Sequence, residues 1–112
     1  FYRESLKELG DIPGVVFTGV HASHFYHAGV ALYYTFAFDL TRFEEAYNGI
    51  WSRLMNTVSR FDGSISHHHG VGRMRLRYLE KEYGSKGVSL LGGIKQAMDP
   101  GGVLRDKVLG DY

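Results

Sequence analysis

The stretch VALYYTFAF, Val30 to Phe38, limits the fold of this chain more than any other, because successive side chains of a strand point to opposite faces. On that alternation Val30, Leu32, Tyr34, Phe36 and Phe38 share one face, bulky throughout, as a core-facing side should be. Ala31, Tyr33, Thr35 and Ala37 share the other, where small neighbours leave Tyr33 standing alone over a shallow surface. Such a surface suits a ligand or another domain lying against the sheet, with the phenol reaching toward it. It also suits a tyrosine that merely packs against a neighbour. Residues 14–22 (GVVFTGVHA) are rich in β-branched types and read as another strand. A polar aromatic connection over residues 23–29 is expected between the two.

Helices surround this pair. Residues 2–9 read as the last turns of a helix stopped at Gly10, with Pro13 just beyond. Thr41 and Glu44 have the spacing of a capping box. The helix it opens sets Phe43, Ala46, Tyr47, Ile50, Trp51, Leu54, Met55 and Val58 on one face. A glycine-bounded connection over residues 63–72 (GSISHHHGVG) follows, then a short helix over 75–82 and a last one over 87–98, ended by Asp99 and Pro100. The expected class is α+β: one domain over residues 1–112, with two antiparallel strands belonging to a wider sheet and helices packed on one side.

Composition narrows the function. Thirteen Lys and Arg against twelve Asp and Glu give a net charge of +1, without the basic excess that a nucleic-acid partner requires. No apolar run approaches the roughly 20 residues that cross a bilayer. The absence of Cys excludes disulfides, zinc–cysteine sites and a thiol nucleophile, and fits a reducing cytoplasm. A chain opening at Phe1 inside a helix is expected to be a piece of a longer protein, and 112 residues leave little room for a dinucleotide-binding domain.

All six histidines fall into two clusters, His21, His24 and His27, then His67, His68 and His69. Three His plus water is a known zinc arrangement. Alternation in an extended segment, however, turns His67 and His69 one way and His68 the other, and no acidic residue lies within the second cluster to orient a site. No metal is expected. That cluster runs into Gly70, Val71 and Gly72 and then Arg73, Arg75 and Arg77, where a helix begins. Backbone amides at a glycine turn, with arginine and imidazole beside them, make a natural site for phosphate or carboxylate. The arginines also suit a solvated helix face, the reading preferred for Arg77.

These residues resemble a family. GSISHHHGVGRMRLRYL is similar to the triple-histidine segment of the alkylglycerone-phosphate (alkyl-dihydroxyacetonephosphate) synthases, and SHFYHAGVALYYTFAF to the strand that carries their active-site tyrosine. IKQAMDPGGVLRDKVL is similar to the close of FAD-linked oxidase C-terminal domains generally. The resemblance implies the C-terminal cap domain of a vanillyl-alcohol-oxidase-type flavoprotein, lying over an FAD that a separate N-terminal domain mainly binds. The implied reaction exchanges the acyl group of acyl-dihydroxyacetone phosphate for a fatty alcohol, through a covalent adduct at flavin N5 and without net redox change. Tyr33 falls on the tyrosine assigned to proton transfer, and His67, His68 and His69 fall on the active-site histidine tract. Arg73, Arg75, Gly70, Gly72 and His24 are expected near the substrate phosphate or the flavin. His21 and His27 depart from the family pattern and inherit no role.

The expected partners are the FAD-binding domain of the same protein and a lipid-like or small acid substrate, with a membrane surface and a second copy as further candidates. No peroxisomal signal is recognisable, so a cytoplasmic or membrane-peripheral location is expected. The rival reading is a flavin-dependent 2-hydroxy-acid dehydrogenase. Such enzymes carry E-H-G where this chain has His68-His69-Gly70, and a strand histidine in the G-D-G-N-x-H segment where this chain carries Tyr33. A non-catalytic ferredoxin-like binding module also fits the coarse fold, but leaves Tyr33 and the triplet unexplained.

Overall fold

The computed structural model describes residues 1–104. Its order is a helix α1 (Tyr2–Gly10), strands β1 (Val15–Tyr26) and β2 (Gly29–Phe38), a 3-10 turn (Leu40–Arg42), and helices α2 (Phe43–Arg60), α3 (Gly72–Leu76) and α4 (Leu79–Met98). The fold is α+β, and its sheet is an antiparallel pair of strands. The chain divides into two compact units, Phe1–Thr57 and Val58–Tyr112. The final residues of the segment resembling FAD-linked oxidases, from Arg105 on, lie outside the described part.

In the first unit Phe38 and Tyr34 of the bulky β2 face meet helices, whereas Val30, expected to face the core, is exposed at the hairpin end. Phe38 packs against Phe43 and Tyr47 of α2 at ring-centroid distances of 5.7 and 6.5 Å, and Phe43 stacks on Tyr47 at 5.3 Å. Tyr34 reaches α1, where its hydroxyl lies 2.6 Å from Ser5 Oγ. Ser5 donates its own hydrogen to the Tyr2 carbonyl, so the phenol is the donor to Ser5. Leu9, Ile12, Ala46, Ile50, Leu54 and Met55 are buried, and each large aliphatic chain among them contributes about 2 kcal/mol by leaving water. Gly49 allows that approach, since a β-carbon there would sit 3.0 Å from Ile12 Cγ2. The buried Thr57 hydroxyl donates to Glu8 Oε2 at 2.7 Å, joining α2 to α1.

Three local expectations are corrected. The connection over residues 23–29 is mostly strand: β1 runs on to Tyr26 and the hairpin closes through His27 and Ala28 alone. Thr41 does not cap α2. Asp39 Oδ1 accepts hydrogen bonds from both the backbone N–H and the hydroxyl of Thr41, which turns that hydroxyl toward the 3-10 turn and holds the Asp39 carboxyl below the usual carboxylate range. An additional short helix lies at Gly72–Leu76, and α4 is two helices meeting at Gly84, whose φ of 68° breaks the helical path. The expected short and last helices are thus both present, the first starting at Leu79 and the last reaching back past Gly87.

In the second unit α2 ends in a Schellman motif. The Gly63 N–H bonds the Val58 carbonyl at 2.9 Å while Asp62 takes φ 52°. Val58, Ile65, Tyr78, Leu79 and Val88 are buried. Among the described residues no helix is long and apolar enough to cross a membrane.

Burial raises the Tyr34 hydroxyl above the ordinary phenol value, and the Ser5 contact offsets part of that because its hydroxyl can turn to face a phenolate. A folded-state value above the unfolded one means that the stability is present below about pH 10 and is lost as pH rises through the higher folded value. Thermal melts from about pH 8 to about pH 11 are expected to show a steeper loss in the wild type than in Tyr34→Phe. At neutral pH that variant is about 1 kcal/mol less stable for want of the hydrogen bond.

Candidate functional site

The site residues collect in two groups, one in each unit. The first lies on the outer face of the hairpin. Cross-strand pairing sets His21 opposite Tyr33, Ser23 opposite Ala31, Gly19 opposite Thr35 and Phe17 opposite Ala37. Thr35 and Ala37 are exposed, and Ala31 and Tyr33 are half-buried, so the helices of this unit leave the face open. The Tyr33 hydroxyl lies 3.3 Å from His24 Nδ1. The His21 and His24 rings flank the phenol at centroid distances of 6.2 and 6.1 Å.

This convergence depends on a β-bulge. His21 and His24 are three residues apart, which strict alternation puts on opposite faces. The register shifts between Ser23 and Phe25, and His24 is the extra residue, with φ 52°. Counted back from the turn in a regular ladder, Tyr33 would meet Ala22; the bulge brings His21 opposite it instead. His21 is therefore the residue that sequence reasoning missed. A bulge leaves no mark in the hydrophobic pattern that would have found it. His27 lies in the hairpin turn.

The second group is the histidine loop. The segment is bent rather than extended, and its rings run in series, with centroids 4.5 Å apart from His67 to His68 and 4.4 Å from His68 to His69. The expected division of the triplet between two directions does not hold. The Nδ1 atoms of His67 and His68 face each other in a hydrogen bond, so one ring must be neutral to accept it. All three side chains are exposed. Gly70 and Gly72 take φ 75° and 56°, which only glycine adopts without strain.

Two side chains brace the loop. Glu82 of α4 accepts from the Ile65 N–H at 2.7 Å and from Ser64 Oγ at 3.0 Å. Arg75 donates through Nη1 to the Gly70 carbonyl at 3.1 Å, and Ser66 Oγ donates to the same oxygen. Arg75 thus ties down the glycine turn that was expected to receive an anion, while Arg73 is exposed. Arg77 lies over the Tyr78 ring, 4.9 Å from its centroid. Among the described residues no group of three His, Cys, Asp or Glu is placed to hold a metal.

The family model for FAD linked oxidases, C-terminal domain, matches residues 2–107. This chain belongs to the FAD-linked oxidase C-terminal family. It is 31% identical over 107 residues to an alkyldihydroxyacetonephosphate synthase of Caenorhabditis elegans, covering 90% of this chain and 18% of that protein. An uncharacterized FAD-linked oxidoreductase of Escherichia coli is 28% identical over 96 residues, which is 80% of this chain and 20% of the relative. A D-2-hydroxyglutarate dehydrogenase of Xanthomonas citri is 36% identical over 58 residues, 52% of this chain and 12% of the relative. An FAD-linked oxidase C-terminal chain of this length therefore spans about a fifth of the first of these proteins. No solved structure matches it significantly.

The bracing of the loop is directly measurable. Replacing Glu82 by Ala leaves the Ile65 N–H without its acceptor, a loss worth about 1–3 kcal/mol for a buried donor. Hydrogen exchange of the Ile65 amide is expected to quicken about tenfold or more in Glu82→Ala, with the amides inside α2 unchanged. Unchanged exchange at Ile65 would show that other contacts hold the loop.

Proposed function

We propose that the full-length protein is an FAD-dependent enzyme that exchanges the acyl group of acyl-dihydroxyacetone phosphate for a long-chain fatty alcohol, a step toward ether lipids. In this reading FAD is bound mainly by another part of the protein. The observation that carries the proposal is Tyr33, half-buried on an open face of small residues with an imidazole at its hydroxyl. The alkyldihydroxyacetonephosphate synthases among its relatives and the HHHG run support the same substrate class.

Along β2 that face carries only the small Ala31, Thr35 and Ala37 beside Tyr33, while β1 adds the His21 ring and the exposed Phe17, whose ring lies over Gly19. When bound, FAD supplies an electron sink for the substrate carbon. Tyr33 takes and returns the proton at that carbon. The imidazole at its hydroxyl gives that group a hydrogen-bond partner within the site. His67, His68 and His69 offer donors to the substrate phosphate, and Gly70 and Gly72 shape the turn beside them. Arg73, exposed at the start of α3, adds positive charge, while Arg75 holds the loop.

The match to D-2-hydroxyglutarate dehydrogenases favours a second reading, oxidation of a 2-hydroxy acid. It is the weaker one, because His68 stands where those enzymes carry the Glu of E-H-G, and Tyr33 stands where they carry a strand histidine.

In the full-length enzyme Tyr33→Phe is expected to lower exchange of acyl-dihydroxyacetone phosphate by about 100-fold or more while the flavin absorbance is retained. His68→Ala and His69→Ala are expected to lower turnover more than His27→Ala. A Tyr33→Phe rate within a factor of about two of wild type overturns the assignment. An enzyme that ignores acyl-dihydroxyacetone phosphate and oxidises 2-hydroxy acids decides for the second reading.

A further inference from the structure

We infer that His24 is the positioning residue for Tyr33: its imidazole holds the phenol hydroxyl in place over the open hairpin face, and the bulge in β1 exists in this chain to present it. The inference rests on Tyr33 as the proton carrier, and it assigns to His24 a role different from contact with a phosphate or flavin.

Three observations converge on it. The first is contact: with its hydrogen on Nε2, His24 accepts the Tyr33 hydroxyl at Nδ1 over 3.3 Å, and the two rings lie 6.1 Å apart. This is a long hydrogen bond, suited to steering a hydroxyl that must also reach a substrate. The second is backbone conformation. His24 takes φ 52°, a left-handed geometry that costs a non-glycine residue free energy and persists where surrounding structure imposes it. The third is register. Ser23 is in register with Ala31 and Phe25 with Val30, so His24 is the extra residue of the register shift, on the face that carries Tyr33. Bulges commonly serve to re-aim a side chain in this way.

On that face the phenol has the short Ala31 and Thr35 beside it along β2, and the His21 ring flanks it at 6.2 Å. Because a displacement of about 1 Å in a reacting group can cost two orders of magnitude in rate, a residue that only sets the direction of the hydroxyl has a large kinetic effect.

The backbone and the side chain can be separated by choice of variant. His24→Gly keeps the left-handed conformation at no steric cost and removes the ring. His24→Asn also tolerates that conformation and offers an amide oxygen at about the reach of Nδ1. In the FAD-loaded full-length enzyme assayed on acyl-dihydroxyacetone phosphate, His24→Gly is expected to lower kcat about tenfold or more with KM little changed, and His24→Asn to recover most of the loss. In a Tyr33→Phe background His24→Gly should cost nothing further, since the hydroxyl it steers is gone.

A second readout does not depend on turnover. In full-length protein labelled at tyrosine Cζ, the Tyr33 carbon resonance, identified by its loss in Tyr33→Phe, is expected to move in His24→Gly and to stay near its wild-type place in His24→Asn. If Tyr33→Phe is impaired while His24→Gly turns over normally, the inference fails and Tyr33 keeps its role. Equal losses in His24→Gly and His24→Asn, or a Tyr33 resonance that ignores both, also overturn it. If Tyr33→Phe itself is unimpaired, the reading of Tyr33 fails and takes the inference with it. An enzyme inert toward acyl-dihydroxyacetone phosphate overturns the substrate reading, and the resonance then decides the hydrogen bond alone.

Discussion

A two-stranded ribbon must bury one face and can expose the other, and which residues fall on each face is settled by register. Here that register turns on one backbone angle, the φ of 52° at His24. Because the ladder slips by one residue at that point, Thr18, Val20 and Ala22 pair with Phe36, Tyr34 and Leu32 on the inner face. The aromatic contacts of Phe38 with α2 and the bond from Tyr34 to Ser5 of α1 close that face. On the outer side the same slip brings Gly19, His21 and Ser23 opposite Thr35, Tyr33 and Ala31. A regular ladder would have turned Val20 outward and His21 inward.

The histidine loop is organised on another basis. It contains no ladder and little buried surface beyond Ile65, so side-chain hydrogen bonds and glycine conformations shape it. Glu82 gathers its start, and Arg75 with Ser66 gathers the Gly70 carbonyl. The three rings are left exposed in a row. The Nδ1 atoms of His67 and His68 are joined by a hydrogen bond, so the row is held partly by its own rings.

Family membership and chemistry stand at different levels for this chain. The match over residues 2–107 places it among FAD-linked oxidase C-terminal domains, whose members named among its relatives include both synthases and dehydrogenases. A fold shared by transferases and oxidoreductases does not choose between them, so the choice rests on particular side chains. The positions that bear on that choice are Tyr33, which stands where the dehydrogenases carry a strand histidine, and His68, which stands where they carry a Glu.

Much of the architecture was legible from local periodicity. The three-and-four spacing of α2 and the break at Asp99 and Pro100 depend only on near neighbours and match the described structure. The alternation of VALYYTFAF shows in burial from Tyr34 to Phe38 but not at Val30, which is exposed. Competition between local groups was harder to read. Asp39 caps a 3-10 turn ahead of α2 by accepting from the Thr41 hydroxyl and N–H together, and the helices on either side of Gly84 meet there without the gap expected between them. The site divides along the same line. Tyr33 and the histidine triplet stood out by residue type and spacing, so the sequence by itself determined the chemistry the chain can offer. Which imidazole touches the phenol, how the triplet rings lie, and what Arg75 holds were decided only in three dimensions. The reason is that a bulge, a bent loop and a bracing hydrogen bond each cost local strain or entropy that longer-range packing offsets, and no pattern of neighbouring residues records that balance.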